Sequence, residues 1–344
     1  MLLAHAGLGE VPPAMTPLRM LTAWTFEPAP AFAVVVVAAA YAYGVHRLRA
    51  RGDRWSRGRS VAFLGGGLGT IIVATQSALG TYDTTLLSVH MVQHMLLNMI
   101  APIFLALGAP ITLALRTLPR RPRQLLLALI HSWYARVLTF PVVAGAIFIA
   151  NPFILYFTKL YEWTLRYPLL HDFNHLHFIV VGCLWFWPLL GLDPMPRRLP
   201  YWGRMLAVFS TMPFHAWLGV SIMSMTTVIA GDWYEGMGRR WGASPLADQQ
   251  TAGGILWTAG EIVSLIIFGA MFAQWVRASE REAARVDRQL DLQEARAARA
   301  RAGGPSESGP HPTLTAVRTP AGAGGGAGPD GTITPAGADR SQPA

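Results

Sequence analysis

The strongest constraint on the fold of this chain is a series of seven long apolar runs. They cover residues 29–47, 60–79, 86–115, 137–157, 172–190, 203–229 and 252–276. A helix needs about 20 mostly apolar residues to cross a bilayer, where only helices and closed barrels satisfy their backbone hydrogen bonds. The runs therefore predict an all-α, polytopic membrane helix bundle with seven transmembrane helices over residues 29–277. Pro102 and Pro110 should kink or end the third helix, because proline removes a helical hydrogen bond.

The composition agrees with a membrane protein. Only 14% of the residues are charged and 52% are hydrophobic, whereas soluble domains have about 25% charged residues. The net charge of +9 comes almost entirely from arginines in short segments between the apolar runs. No basic patch interleaved with aromatic residues occurs in the sequence, so nucleic acid is not an expected partner. Cys183 is the single cysteine, which excludes an intrachain disulfide and every CxxC-type metal site.

The arginines predict the orientation of the bundle. Arginine-rich segments lie at 47–59, 116–123, 197–204 and after residue 277. Arginine-poor loops lie near 80–85, 158–171 and 231–251. The two sets alternate along the chain, and cytoplasmic loops of membrane proteins carry the excess of arginine and lysine. The alternation predicts an N-out, C-in topology.

The segments outside the spans differ from one another in composition. Residues 1–28 are expected to be extracytoplasmic, and they lack the charged region followed by an apolar core that marks a cleavable signal peptide. Residues 123–134 are apolar but too short to span, which predicts a helix at the membrane interface. Residues 278–301 predict a polar cytoplasmic helix. Residues 302–344 are rich in Gly, Pro, Ser and Thr, which predicts a disordered cytoplasmic tail.

Histidines are concentrated in the outer half of the predicted bundle. Five lie inside the spans or at their outer ends: His90, His94, His171, His175 and His215. With a rise of 1.5 Å per residue, His90 and His94 lie about 6 and 12 Å below the outer surface. His171 lies at the rim, His175 about 6 Å deep and His215 about 12 Å deep. An ionisable side chain in hydrocarbon is costly, so it is by default a functional hypothesis.

Two of these histidine pairs share one spacing. His90 and His94 are four residues apart, as are His171 and His175, so each pair occupies one helix face. The two faces can present four imidazole nitrogens to one point. Imidazole suits several transition metals. We therefore predict one outer-half copper site formed by these four residues and His215. The simpler interpretation is that the histidines only hydrogen-bond neighbouring helices.

Other residues near this level are weaker candidates. The methionines that could add soft Cu(I) ligands are Met91, Met95, Met223 and Met225, although methionine is also a common core filler. Asp83 is expected to be an exposed loop acid that could attract cations. Glu261, about 15 Å into the seventh helix, needs a partner or a proton. His177 points away from the face of His171 and His175, and Cys183 is expected to be a packing residue.

Three stretches of the sequence resemble the CtaG-type cytochrome c oxidase assembly factors of bacteria. They are SVHMVQHMLLNMIAPIFLALGAP, HDFNHLHFIVVGCLWFWPLLGLDP and ADQQTAGGILWTAGEIV. The resemblance covers roughly residues 30–277. It implies a non-enzymatic factor in the bacterial inner membrane that helps to build a haem–copper oxidase, plausibly by handling its copper. Oxidase subunits, the lipid bilayer and an extracytoplasmic copper donor are the implied partners.

The residue pattern leaves other functions open. A haem-binding electron-transfer protein could use His94 and His175 as axial ligands, although an i, i+4 pair spans only about 6 Å and is too short for two haems. A membrane di-iron oxygenase also uses HxxxH clusters, but the chain lacks HH pairs and its cluster is on the predicted outer side. A transporter could use Glu261 and the histidines for protons or metal. In a scaffold, the histidines would merely hold helices together.

Overall fold

The computed structural model describes residues 11–195 and 199–302, and within these ranges all regular structure is helical. Seven helices are labelled here: α1 Pro28–Ala50, α2 Arg57–Tyr82, α3 Leu87–Leu107, α4 Pro141–Phe157, α5 Pro168–Leu190, α6 Tyr201–Ser224 and α7 Pro245–Ala302. Shorter helices are Pro17–Thr22, Pro110–Thr117, Arg120–Ile130, Trp133–Leu138, Leu160–Arg166 and Gly231–Gly236. The all-α prediction is confirmed.

Among the described residues, six helices are long and apolar enough to cross a membrane. The seventh candidate is a bent pair, in which α4 is followed by Leu160–Arg166 at an angle of 70°. The predicted count of seven spans is therefore reached only when this pair is taken as one span. The chain is a multi-pass membrane protein, and its N-out, C-in orientation stays a prediction.

Proline and local backbone geometry set several helix ends. The predicted third span ends earlier than expected, because α3 stops at Leu107 and a new helix begins at Pro110. Ala109 between them is left-handed, with φ at 48°. The expected break at Pro110 is thus confirmed. The predicted sixth span is also too long, since α6 ends at Ser224. A π-helical segment, Leu96–Ile100, lies inside α3 directly after its histidine pair.

The flanking segments agree in part with the sequence. Helices occupy Arg120–Ile130 and Trp133–Leu138, where an interfacial helix is predicted. Helix α7 continues to Ala302, and its residues 279–299 are exposed. The membrane depth and the side of both segments stay predictions. The predicted disordered tail falls outside the described residues except for its first residue, and residues 1–10 also fall outside.

Close helix contacts position the histidine-bearing helices. A Cβ atom at Gly182 on α5 would lie 2.1 Å from the backbone oxygen of Asn98 on α3, so only glycine permits this approach. The contact lies about 10 Å along α5 from His175. It therefore holds the histidine pair of α5 against the histidine pair of α3.

Two acids of the sequence motifs, Asp193 and Asp248, have structural roles. Asp193 is fully buried, and its carboxylate accepts hydrogen bonds from the backbone N–H of Thr112 at 2.7 Å and the indole of Trp187 at 2.9 Å. It thereby caps the helix that begins at Pro110, where unpaired N–H groups favour an anion. Asp248 at the start of α7 binds the backbone N–H and the hydroxyl of Ser88 at the start of α3.

Candidate metal centre

Three potential metal ligands meet at the end of the bundle where α2 finishes and α3 and α5 begin. The ligand atoms of Asp83, His171 and His175 all lie within 4.8 Å of one another, and all three residues are buried. The Asp83 carboxylate oxygen Oδ2 is 2.9 Å from Nε2 of His171 and 3.8 Å from Nε2 of His175. The T-shaped contact between the two imidazoles, with centroids 4.4 Å apart, follows from their i, i+4 spacing. We call these three residues the Asp83 group.

Gln93, from the middle of the HMVQHM block, holds the Asp83 group together. Its amide Nε2 donates to Asp83 Oδ2 at 3.0 Å and to the backbone oxygen of Ala74 at 2.9 Å. Its Oε1 lies 3.0 Å from Nε2 of His175. Because the amide nitrogen serves two acceptors, Oε1 must accept and His175 Nε2 must donate. Gln93 is a positioning residue that links α2, α3 and α5.

The donor atoms suit a small transition-metal ion. Ligand atoms around a tetrahedral ion with bonds of about 2.0–2.1 Å are about 3.3 Å apart, and the separations of 2.9 and 3.8 Å bracket that value. Imidazole nitrogen with carboxylate oxygen is a donor set used for copper, zinc and iron. Binding at Nε2 of either histidine requires loss of the proton that it now donates, so a metal would compete with these hydrogen bonds.

His90 lies beside the Asp83 group but is not hydrogen-bonded. Its ring centroid is 6.4 Å from that of His171, and its side chain is fully buried. Both ring nitrogens lack a hydrogen-bond partner among the described residues. A neutral imidazole buried in this way loses its hydration without compensation, at about 1–3 kcal/mol per group. The ring of Tyr161 lies beside it, with the two ring centroids 5.0 Å apart.

His94 occupies a second environment one turn deeper on α3. Its Nδ1 lies 2.9 Å from the hydroxyl of Tyr156 on α4, and its ring stacks on Phe178 of α5 with centroids 4.1 Å apart. Only 1% of its surface is exposed. These contacts are the helix-bridging kind that the simpler interpretation of the sequence predicts, and they leave no space for a porphyrin against the stacked face.

His215 has contacts outside the Asp83 group. Its ring lies 5.3 Å from that of Phe148, and it packs against Gly260 of α7. Among the described residues, the Asp83 group is the only cluster of at least three His, Cys, Asp or Glu ligand atoms with such spacing. It includes neither His215 nor the two histidines of α3. A ligand role for His90, His94 and His215 therefore stays a prediction.

The remaining candidate residues lie outside the Asp83 group. Met91 and Met95 belong to the hydrophobic core, so their Cu(I) role also stays a prediction. His177 lies apart from the Asp83 group and contacts Asn151 at 2.9 Å, as its helix face suggests. Glu261 is half-buried on α7. Cys183 is partly buried and packs against the core, in agreement with a packing role.

The expectation that Asp83 is exposed is wrong. Its side chain is only 1% exposed, because the turn after α2 folds it inward between α3 and α5. Sequence reasoning also missed Gln93 and the two tyrosines against His90 and His94. The HMVQHM block contained one indication of the role of Gln93. A glutamine on the same predicted membrane helix as the histidines also needs a hydrogen-bond partner.

Aromatic hydroxyls close the same end of the bundle. Tyr161 and Tyr234 are buried, and their hydroxyl oxygens are 2.6 Å apart. Tyr234 belongs to the short helix Gly231–Gly236 outside the spans, and burial raises its pKa above the ordinary value for a phenol. It therefore remains a neutral hydrogen-bonding group. The neighbouring Trp233 donates its indole N–H to the backbone oxygen of Thr84 at 2.9 Å, directly beside Asp83.

Comparisons with known proteins identify relatives of this chain. The family described as "Cytochrome c oxidase caa3 assembly factor" matches residues 39–278. Uncharacterized proteins of Mycobacterium bovis and Mycobacterium tuberculosis are each 41% identical over 289 residues, which is 82% of this chain and 44% of theirs. An uncharacterized protein of Mycobacterium leprae is 39% identical over the same length and coverage. The chain thus spans less than half the length of these relatives. No solved structure matches it.

Proposed function

Because the chain belongs to the caa3 cytochrome c oxidase assembly factor family, we propose that it helps to build a haem–copper oxidase by carrying copper as its cargo. The observation that carries this proposal is the Asp83 group, a buried set of two imidazoles and a carboxylate at metal-ligand spacing. The family supports a role in oxidase assembly, and the donor set supports the choice of a transition metal.

The proposed place of action follows from the loop charges. The Asp83 group lies at the arginine-poor end of the bundle, which the positive-inside rule assigns to the outer side of a bacterial inner membrane. Copper would arrive there from an extracytoplasmic donor and leave to an oxidase subunit on the same side. His90, His94 and His215 are proposed to complete the ligand set or to receive the metal as it moves. No catalytic residue is required for this role.

Haem electron transfer is less well supported than copper handling. A haem needs open volume at its axial imidazoles, whereas His94 is 1% exposed and stacked on Phe178. His175 is hydrogen-bonded to Gln93 and belongs to the Asp83 group. Absence of a Soret band from the purified protein is the expected result, and a stoichiometric Soret band would favour the haem function instead.

Copper binding by the detergent-purified full chain tests the proposal. Anaerobic titration against a coloured copper chelator should give a defined stoichiometry for the wild type and a lower one for His171→Ala and His175→Ala. His177→Ala is the matched control, because it removes an imidazole from the same helix outside the Asp83 group. Equal copper content in all four proteins would contradict the proposal.

Oxidase maturation in cells provides the second measurement. If the histidines carry copper, His175→Ala should insert at the normal level yet lower oxidase activity under copper limitation, with partial recovery in excess copper. If they serve only as helix contacts, the variant protein should be degraded, and copper should not restore activity.

A further inference from the structure

A cleft of about 350 Å³ opens at the bend between α4 and Leu160–Arg166. We call it the bend cleft. Its wall includes Tyr156, Tyr161, Lys159, Glu162, Met225 and Ala230. At about 30 Å³ per water molecule, this volume holds a metal ion with its hydration shell. The cleft is at the same end of the bundle as the Asp83 group.

Three interruptions of regular backbone meet at the bend cleft. The α4 span breaks at Thr158 with a 70° bend. Helix α6 ends at Ser224, and Met225 after it is extended. Ala230 is left-handed with φ at 52°, a conformation that costs energy for a residue with a Cβ atom. Irregular backbone at membrane depth is tolerated where it lines a cavity, and it marks binding sites in transporters.

The floor of the bend cleft is formed by two tyrosines that touch the histidine pair of α3. The rings of Tyr161 and Tyr156 lie 5.0 and 6.2 Å from the ring of His90. The Tyr156 hydroxyl also contacts Nδ1 of His94 at 2.9 Å. Only one layer of aromatic rings therefore separates the cleft from His90.

His90 is the group behind this floor that needs a ligand. It is fully buried, and both of its ring nitrogens lack hydrogen-bond partners in the described part of the chain. Its ring is 6.4 Å from that of His171. Two imidazoles that share one metal with bonds of about 2.0–2.1 Å have ring centres roughly 5–6 Å apart, so a shift of about 1 Å would let both bind the same ion.

A hydrogen bond between two tyrosine side chains lies at the floor of the bend cleft. The hydroxyls of Tyr161 and Tyr234 meet at 2.6 Å, and Tyr234 is anchored through its neighbour Trp233 to the backbone beside Asp83. We call the Tyr161–Tyr234 contact the tyrosine latch. It joins Tyr161, whose ring lies against His90, to the short helix Gly231–Gly236.

We infer that the bend cleft is the entry port for the copper ion, and that the tyrosine latch gates its passage to His90 and from there to the Asp83 group. This inference rests on the proposed function, because it names the route to the same metal site. Met225 offers a thioether on the wall of the port, a ligand type that suits Cu(I). Two charged groups lie on that wall, Lys159 and Glu162, and Glu162 is ion-paired with Arg166 at 2.6 Å.

The rate at which the full chain takes up copper tests whether the bend cleft is the entry port. Cu(I) is supplied anaerobically from a coloured chelator complex, and both the rate of transfer and the final copper content are recorded. Tyr234→Phe removes the latch bond and should load several-fold faster. Met225→Trp fills the cleft and should load about tenfold slower. Both variants should reach the copper content of the wild type.

Matched controls place the same changes outside the cleft. Tyr167→Phe and Leu169→Trp alter residues that are 60% and 85% exposed near the same end of the bundle, and both should load at the wild-type rate. Wild-type rates in both cleft variants would overturn the port. A lower final copper content in Tyr234→Phe would also overturn it, because the phenol would then hold the metal. Absence of copper uptake by the wild type would instead refute the proposed function.

Discussion

Asp83 and His171 are separated by 88 positions in the chain, yet the Asp83 carboxylate and the His171 imidazole lie 2.9 Å apart in a buried site. The pair joins the turn after α2 to the first turn of α5. Burying either polar group alone would be costly, and together they form a hydrogen bond. This contact turns two separate segments into one candidate metal centre.

The Gln93 amide should tune copper binding without being a ligand. Gln93→Ala removes the hydrogen bonds that orient Asp83 and His175, and loss of such outer contacts typically lowers metal affinity 10–100-fold. We expect weaker binding with an unchanged stoichiometry, measured by chelator competition. Loss of one full equivalent of copper in Gln93→Ala would instead make Gln93 a direct ligand.

Removal of the Asp193 carboxylate should lower the stability of the protein and leave its copper binding unchanged. Asp193→Ala leaves the partly buried N–H groups of Thr112 and Trp187 without their acceptor, which costs up to about 1–3 kcal/mol for each such group. We expect a lower unfolding temperature in detergent and a normal copper content in the folded fraction. Wild-type stability would show that the carboxylate is not needed as a helix cap.

The contact at Gly182 should tolerate no side chain. Gly182→Ala places a methyl group 2.1 Å from the Asn98 oxygen, so α3 and α5 must separate. We expect lower thermal stability and weaker copper binding together, because the two histidine pairs move apart. Gly254→Ala is the control, since nothing lies within 4 Å of its added Cβ and alanine favours a helix by about 1 kcal/mol. Equal behaviour of the two variants would refute the packing argument.

The orientation can be tested with fused reporters. A reporter that works only in the cytoplasm should be active when fused after residue 277, and one that works only outside should be active in the loop near residue 240. The physical reason is the alternation of arginine-rich and arginine-poor segments. The reversed pattern would place the Asp83 group on the cytoplasmic side and remove the basis for an extracytoplasmic copper donor.

The sequence by itself determined the helical membrane architecture, because apolar length and proline position act locally. The break at Pro110 and the shared faces of the two HxxxH pairs follow from helix geometry alone. The sequence was less informative about the irregular segments between the helices. The fourth apolar run ends at residue 157, and hydropathy did not predict the short helix Leu160–Arg166 that follows it after a 70° bend.

Only the tertiary structure decided which polar groups meet. Asp83 looked like an exposed loop acid until the fold buried it against His171, and Gln93 gained a role only through Asp83 and His175. Such pairings depend on how closely α3 and α5 approach each other. The close approach is possible because glycine at position 182 has no side chain. Helix periodicity gives the direction of a side chain on its own helix. The partner of that side chain depends on packing between segments that are distant in the chain, because a buried polar group must be satisfied by whatever the fold brings near.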